Sequence, residues 1–474
     1  MSTAETAPLP PTRALLFLLA RLLTFGALVA MFTMSPALLL AMGLPYGSPG
    51  GPQLAKIHPA SFLALGAVVC FLMARRPVPT IARLWHDHPG LMVYVVAIAV
   101  LMFQAVVVQH KPVTPLIDTF LTSALTFVAL TSTTERDRRL MMVAVHVFFT
   151  VNSGIAYLEQ VTSFRLLPTY LGNELVTFEW RSTALLGHPL VNAAQTGLYL
   201  VLLSGPAGRV FDPRLRILLV LFQLGAMTCF GGRTATILSI GVLLLRLGSG
   251  ALVGLGGART ARTTASAAAA IATVAVLAGV VLVEHGALDR FLGRFQNDAG
   301  SAATRVAMLH VFDRITPEAF VLAPDPADIA AAQRRLDITT AIESFVVAFP
   351  AYYGLLVSGL FFVGLALFLA EIVRLVGRPA VIPLAFLMAV NAGANGISTK
   401  TLDLSLAFAS VYLTTLPLRR REGGAADETA SPPESPALAV TVAPAPAPLR
   451  PTGAPATGWR EAVARRRLEV APLG

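Results

Sequence analysis

Long apolar runs, parted by short polar breaks that carry arginine, dominate the chain. Runs of roughly 17 to 25 apolar residues, enough to cross ~30 Å of hydrocarbon as helix, can be drawn at 14–42, 57–74, 91–109, 115–131, 140–161, 184–204, 215–230, 234–247, 266–284, 345–373, 380–394 and 402–418. The pattern predicts an all-α polytopic integral membrane protein with about 12 transmembrane helices, 11 to 13 allowing for the short and long runs. Residues 1–13 precede the transmembrane region 14–418, and 419–474 follow it.

Composition agrees with the pattern. With 55% hydrophobic and 13% charged residues and a mean hydropathy of +0.70, the chain is not a water-soluble domain. Basic residues alternate between breaks: 18 lie on one set of flanks (Arg13; Arg75, Arg76, Arg83; Arg136, Arg138, Arg139; Arg209, Arg214, Arg216; Arg246, Arg259, Arg262; Arg374, Arg378; Arg419 to Arg421). Only 6 lie on the other (Lys56, Lys111, Arg165, Arg181, Arg233, Lys400). Basic flanks stay in the cytoplasm, so both termini are expected there. The net charge of +10 reflects this bias, not a nucleic-acid footprint. The first run is too long for a signal-peptide core and is expected to be retained. Cys70 and Cys229 make neither a disulfide framework nor a metal quartet.

Two regions break the rhythm. The outer loop 285–342 mixes arginines with acidic residues, and its segment 303–315 places Val306, Leu309, Val311 and Phe312 mostly on one side, as a surface amphipathic helix would. The tail 419–474 is rich in Pro, Ala, Gly and Ser and is expected to be disordered, with a short basic stretch at 459–470.

The candidate chemistry lies at the outer helix ends. Arg181, Gly187, His188, Pro189 and Asn192 stand at the start of one apolar run, Gly232, Arg233 and Thr234 follow one hairpin later, and Gly300, Ser301 and Arg305 lie in the large loop. This order resembles the O-antigen ligase and Wzy-type polysaccharide polymerase superfamily, nearest to its VpsF-like exopolysaccharide branch, over about residues 181–368.

The resemblance implies a GT-C-like fold and a metal-independent glycosyl transfer without a cofactor. The donor would be a polyprenyl-diphosphate-linked saccharide and the acceptor a saccharide or lipid hydroxyl. Membrane lipids and other polysaccharide-assembly proteins would be its further partners. Arg181, Arg233 and Arg305 would hold the diphosphate, since a guanidinium is permanently charged and bidentate, with Arg181 and Arg233 acting also in catalysis and His188 and Asn192 in support. Where the family carries a His–Asn pair, this chain has Glu343 and Ser344, which makes Glu343 the candidate general base.

Each residue has a plainer reading. The arginines can snorkel to headgroups, His188 and Pro189 can simply start a helix, and Glu343 can be a helix N-terminal acid. Asn391, Asn395 and Lys400 either line a cavity or form a hairpin. A polar stripe in 140–161 (His146, Thr150, Ser153, Tyr157, Gln160) reads as a helix–helix seam. A transporter, flippase or export component is the alternative class, against which stands the absence of a visible internal repeat.

Overall fold

The computed structural model describes residues 10–47, 50–168, 170–171, 174–175, 180–254, 293 and most of 306–429. The expected span at 266–284, Gly300, Ser301, Arg305, Glu343, Asn395 and the tail from 430, with its basic stretch 459–470, lie outside the described residues. One compact unit covers Met1–Ala425. Of the second, Ala426–Gly474, only the last residues of a helix are described.

The regular secondary structure among the described residues is helical apart from an antiparallel two-residue pair, Tyr170–Leu171 with Glu174–Leu175. The helices are α1 (Pro11–Thr33), α2 (Pro36–Ala41), α3 (Pro59–Arg75), α4 (Pro77–Asp87), α5 (Pro89–Phe103, extended by a π turn Gln104–Val108), α6 (Thr114–Thr131, with a π segment Ile117–Leu121) and α7 (Glu135–Thr162). There follow α8 (Pro189–Ser204), α9 (Pro213–Phe230), α10 (Arg233–Gly254), α11 (Pro317–Leu322), α12 (Pro326–Arg335), α13 (Phe345–Tyr353), α14 (Leu355–Val376), α15 (Val381–Ala392) and α16 (Asp403–Thr429). Proline opens α1 to α5, α8 and α9, because its missing N–H is unpaired at a first turn anyway. The first residue of α7 follows a reciprocal cap between Thr134 and Asp137.

Six of these helices are long and apolar enough to cross a membrane, and the pair α3/α4, bent by 109°, is a broken span or a re-entrant loop that brings the number to seven if it is one span. Shorter apolar helices run over Pro189–Ser204, Arg378–Ala392 and Asp403–Leu416.

Several boundaries differ from the sequence expectation. The run 14–42 is two helices, broken at Met34–Ser35 before Pro36, since proline removes an intrahelical donor and disfavours helix at the preceding residue. The run 345–373 is broken at Gly354, whose φ of 82° leaves the right-handed helix. The run 184–204 becomes helical only at Pro189. Of the segment 303–315, the described residues 306–315 form a short helix, a turn and a 3-10 turn over Phe312–Arg314. Met308 and Val311 face inward there, while Val306 and Leu309 are exposed. Met308 and Val311 join Ile329, Ala332, Ile338 and Ile342 in a small core of the loop that packs on Ala348 and Ala351 of α13.

Close approach of helices is set by small residues. Gly364 of α14 meets Ala97 of α5, and Tyr94 stacks on Phe368 with ring centroids 4.7 Å apart. At the centre is α8, with 13 of its 16 residues buried, so it faces protein on nearly all sides. At 1.5 Å per residue it is about 24 Å long, too short for ~30 Å of hydrocarbon. Its C-terminal carbonyls are met by arginines: Arg246 donates to Val201 O at 2.6 Å and Arg216 to Leu203 O at 2.7 Å.

Candidate functional site

The site is assembled from α7 outward. Asn152, Ala156 and Glu159 recur at helical spacing on its buried face, and all three bind the non-helical turn that precedes α8. The Glu159 carboxylate, 3% exposed, accepts from Thr183 N–H at 2.8 Å, Ala184 N–H at 3.1 Å and Leu166 N–H at 2.7 Å. Asn152 accepts from Leu185 N–H at 3.0 Å, and Ser182 donates to Ala156 O at 2.9 Å.

Asn192, one turn into α8 and fully buried, closes the loop on itself. It donates to Thr183 O at 2.5 Å and His188 O at 3.1 Å, and accepts from Asn152 at 2.9 Å. The turn reverses at Gly187, whose φ is +69°; a Cβ there would lie 2.6 Å from Ser35 Oγ. The motif from Arg181 to Asn192 is therefore a buried scaffold that ends with His188 and the first turn of α8 facing open space.

That space is a cavity of about 320 Å³. Ser35 and Pro36 at the α1/α2 break line it, as do His188, Leu190 and Val191 at the start of α8, Asn391 at the end of α15, and the loop Gly396–Asp403. Pro189 and the next N–H groups of α8 lie within its first turn, where a helix is electropositive. Lys400 supplies the cation on the other wall. Its ammonium sits 3.7 Å from Asp118 Oδ2, donates to Tyr46 O at 2.8 Å and to Lys56 O, and lies 3.4 Å from the centroid of the Tyr46 ring.

Asp118 sits in the π segment of α6 and is fully buried. It accepts from His58 N–H at 3.0 Å and Ser61 Oγ–H at 2.7 Å. Desolvation pushes the Lys400 pKa down to about 8, against the opposing pull of Asp118. His188 is pushed down to about 4, chiefly by desolvation and then by the charge of Arg181. The His188 side chain is exposed at the cavity wall, and with its proton disfavoured it presents a neutral imidazole there.

The structure places the named residues differently. His188, Asn391 and Lys400 line the cavity. Arg181 and Arg233 are not among the lining residues: Arg181 is near enough to depress His188, and Arg233 opens α10 next to Gly232, where a side chain would overlap Ala193 of α8. Both arginines are half-buried and engaged in contacts. Asn192 faces the scaffold, not the cavity. Glu343 and Arg305 lie outside the described residues. His310 is exposed and pairs with Asp313 at 2.8 Å.

The polar stripe of α7 is the expected seam: His146 bonds Tyr199 OH at 2.9 Å, Ser153 donates to Gln223 at 2.6 Å and Tyr157 to Phe222 O at 2.7 Å. Sequence reading passed over Asp118, Glu159 and Asp403. Their signal was there, since an acidic residue inside an apolar run marks either a functional group or a buried partner. Among the described residues no cluster of three or more His, Cys, Asp or Glu could hold a metal. Compared with family models, curated proteins and solved structures, the chain finds no match.

Proposed function

We propose that the protein transfers a saccharide from a polyprenyl-diphosphate carrier to a hydroxyl acceptor on the extracytoplasmic side of the bacterial inner membrane. It would act without a metal ion, as a polymerase or ligase in exopolysaccharide or O-antigen assembly. In this reading the chain has about twelve spans in a GT-C-like arrangement, and both termini are cytoplasmic. The observation that carries it is the cavity on which the N-terminal turn of α8, His188 and Lys400 converge, with Arg181 close enough to His188 to act on it.

The acceptor oxygen forms a bond to the anomeric carbon as the bond from that carbon to the diphosphate oxygen breaks. The bonding pair leaves with the diphosphate, and the hydroxyl proton passes to a base. Preorganised donors and cations at the departing oxygens lower the barrier, and the cavity offers a helix N-terminus and an ammonium for that purpose. Glu343 remains the proposed base, with the neutral His188 imidazole as the second candidate on the cavity wall.

A deletion strain tests the reading. Accumulated single lipid-linked repeats mark a polymerase, long chains left on the carrier mark a ligase, and unchanged saccharides refute both. The breaks at Met34–Ser35 and Gly354 favour a carrier as the second reading, because broken helices also line transport sites. Saturable uptake by purified protein without glycosyl transfer would establish that one instead.

A further inference from the structure

On the far side of Tyr46 from the polar cavity lies a second space of about 440 Å³. It is an apolar groove between α2, the loop after it and the start of α3, walled by Leu39, Leu44, Leu54, Ile57, Phe62 and Leu63. Tyr46 lines both spaces. Its ring, 4% exposed, carries Lys400 against its face and meets His58 edge-on at 5.5 Å, so one aromatic side chain is the partition between an ammonium and a hydrocarbon slot.

The helix break at Met34–Ser35, before Pro36, separates α2 from α1. The start of α3 stays fixed to α1 by His58, whose Nε2 bonds Met34 O at 2.6 Å while its Nδ1 accepts Ala60 N–H at 3.1 Å. Leu54 is 71% and Phe62 45% exposed, which places the groove's mouth at the protein surface. An apolar groove in a bilayer gains little from an ordinary lipid tail, because the tail is already in hydrocarbon. Selectivity has to come from a headgroup, and the headgroup site is next door.

We infer that this groove holds the hydrocarbon chain of a lipid-borne phosphate or diphosphate whose charged head occupies the polar cavity, with Tyr46 marking the junction. The inference rests on the function proposed above and gives the donor a path: the chain enters sideways from the lipid between α2 and α3. The head then reaches Lys400 and the α8 N-terminus without leaving the membrane boundary.

The test uses the full-length protein in lipid nanodiscs and a farnesyl diphosphate analogue carrying a diazirine on its terminal isoprene unit. After irradiation, labelled residues are mapped by mass spectrometry with and without excess inorganic pyrophosphate. Protection against thermal unfolding by pyrophosphate, measured in parallel, reports the head site alone. The expected result is labelling within residues 39–63 that pyrophosphate reduces at least fivefold. Phe62→Asn should reduce that labelling by a similar factor and leave pyrophosphate protection unchanged.

Pyrophosphate-sensitive labelling elsewhere, or groove labelling that ignores pyrophosphate, overturns the groove assignment while the head site stands. Loss of both protection and sensitive labelling overturns the functional reading itself.

Discussion

Glu159 offers the sharpest test of how the candidate site is built. Its carboxylate takes three backbone N–H groups, those of Leu166, Thr183 and Ala184, at 2.7 to 3.1 Å, with Thr183 Oγ as a longer fourth donor. Glu159→Gln keeps the volume but turns one acceptor oxygen into a donor. In the better amide orientation the new NH2 faces Leu166 N–H, orphaning one backbone group at ~1 to 3 kcal/mol, and the surviving bonds lose their charge assistance. The variant also recovers part of the desolvation cost of a buried carboxylate, so the expected net loss is about 2 kcal/mol. Glu135→Gln, on the same helix in an exposed pair with Arg139, should cost no more than ~0.5 kcal/mol. Unfolding of detergent-solubilised protein compares the two. Hydrogen exchange should speed up at residues 182–188 in the first variant only. If Glu159→Gln is as stable as Glu135→Gln and exchange at the turn is unchanged, the claim that α7 holds the Arg181–His188 turn in place is wrong.

Gly187→Ala should lower stability by more than the ~1 kcal/mol of a left-handed backbone, because its Cβ would also press on Ser35 Oγ at 2.6 Å; thermal unfolding checks this, and a neutral outcome removes the proposed contact between the turn and the α1/α2 break. Arg181→Ala and Arg233→Ala should each abolish polymer while the protein still inserts, with lysine a poor rescue because it lacks the bidentate fork; full activity at normal expression excludes the diphosphate cradle. With the Lys400 pKa lowered to about 8, the ammonium is present below that pH and lost above it. Pyrophosphate affinity should therefore fall as pH rises through 8, and Lys400→Met should be weak and flat across the range. If Glu343 is the base, Glu343→Gln should lose ~10² to 10⁴ in rate and Glu343→His should recover part of it in a reconstituted assay; an active glutamine variant moves the role to His188.

The membrane class and the presence of most helices followed from composition and local chemistry, whereas the breaks inside the runs 14–42 and 345–373 did not. Long apolar runs satisfy their backbone groups as helices in hydrocarbon, and proline is well placed at a first turn, as Pro59, Pro89, Pro189 and Pro213 are, although Pro350 lies inside α13. The α7 stripe was readable too, because its period is a property of the helix alone. What required the tertiary structure was which polar groups share a space. Asp118, Lys400, His58 and Tyr46 come from four separate segments, and 282 positions part Asp118 from Lys400. Arg181, His188 and Asn192 are close in sequence, yet one is off the cavity wall, one lines it and one turns away into the scaffold. Helical periodicity orders side chains only around their own axis. The packing of α8 among its neighbours, and the hydrogen bonds that Glu159 and Asn192 make across helices, decide which of them meet a ligand and which hold the wall.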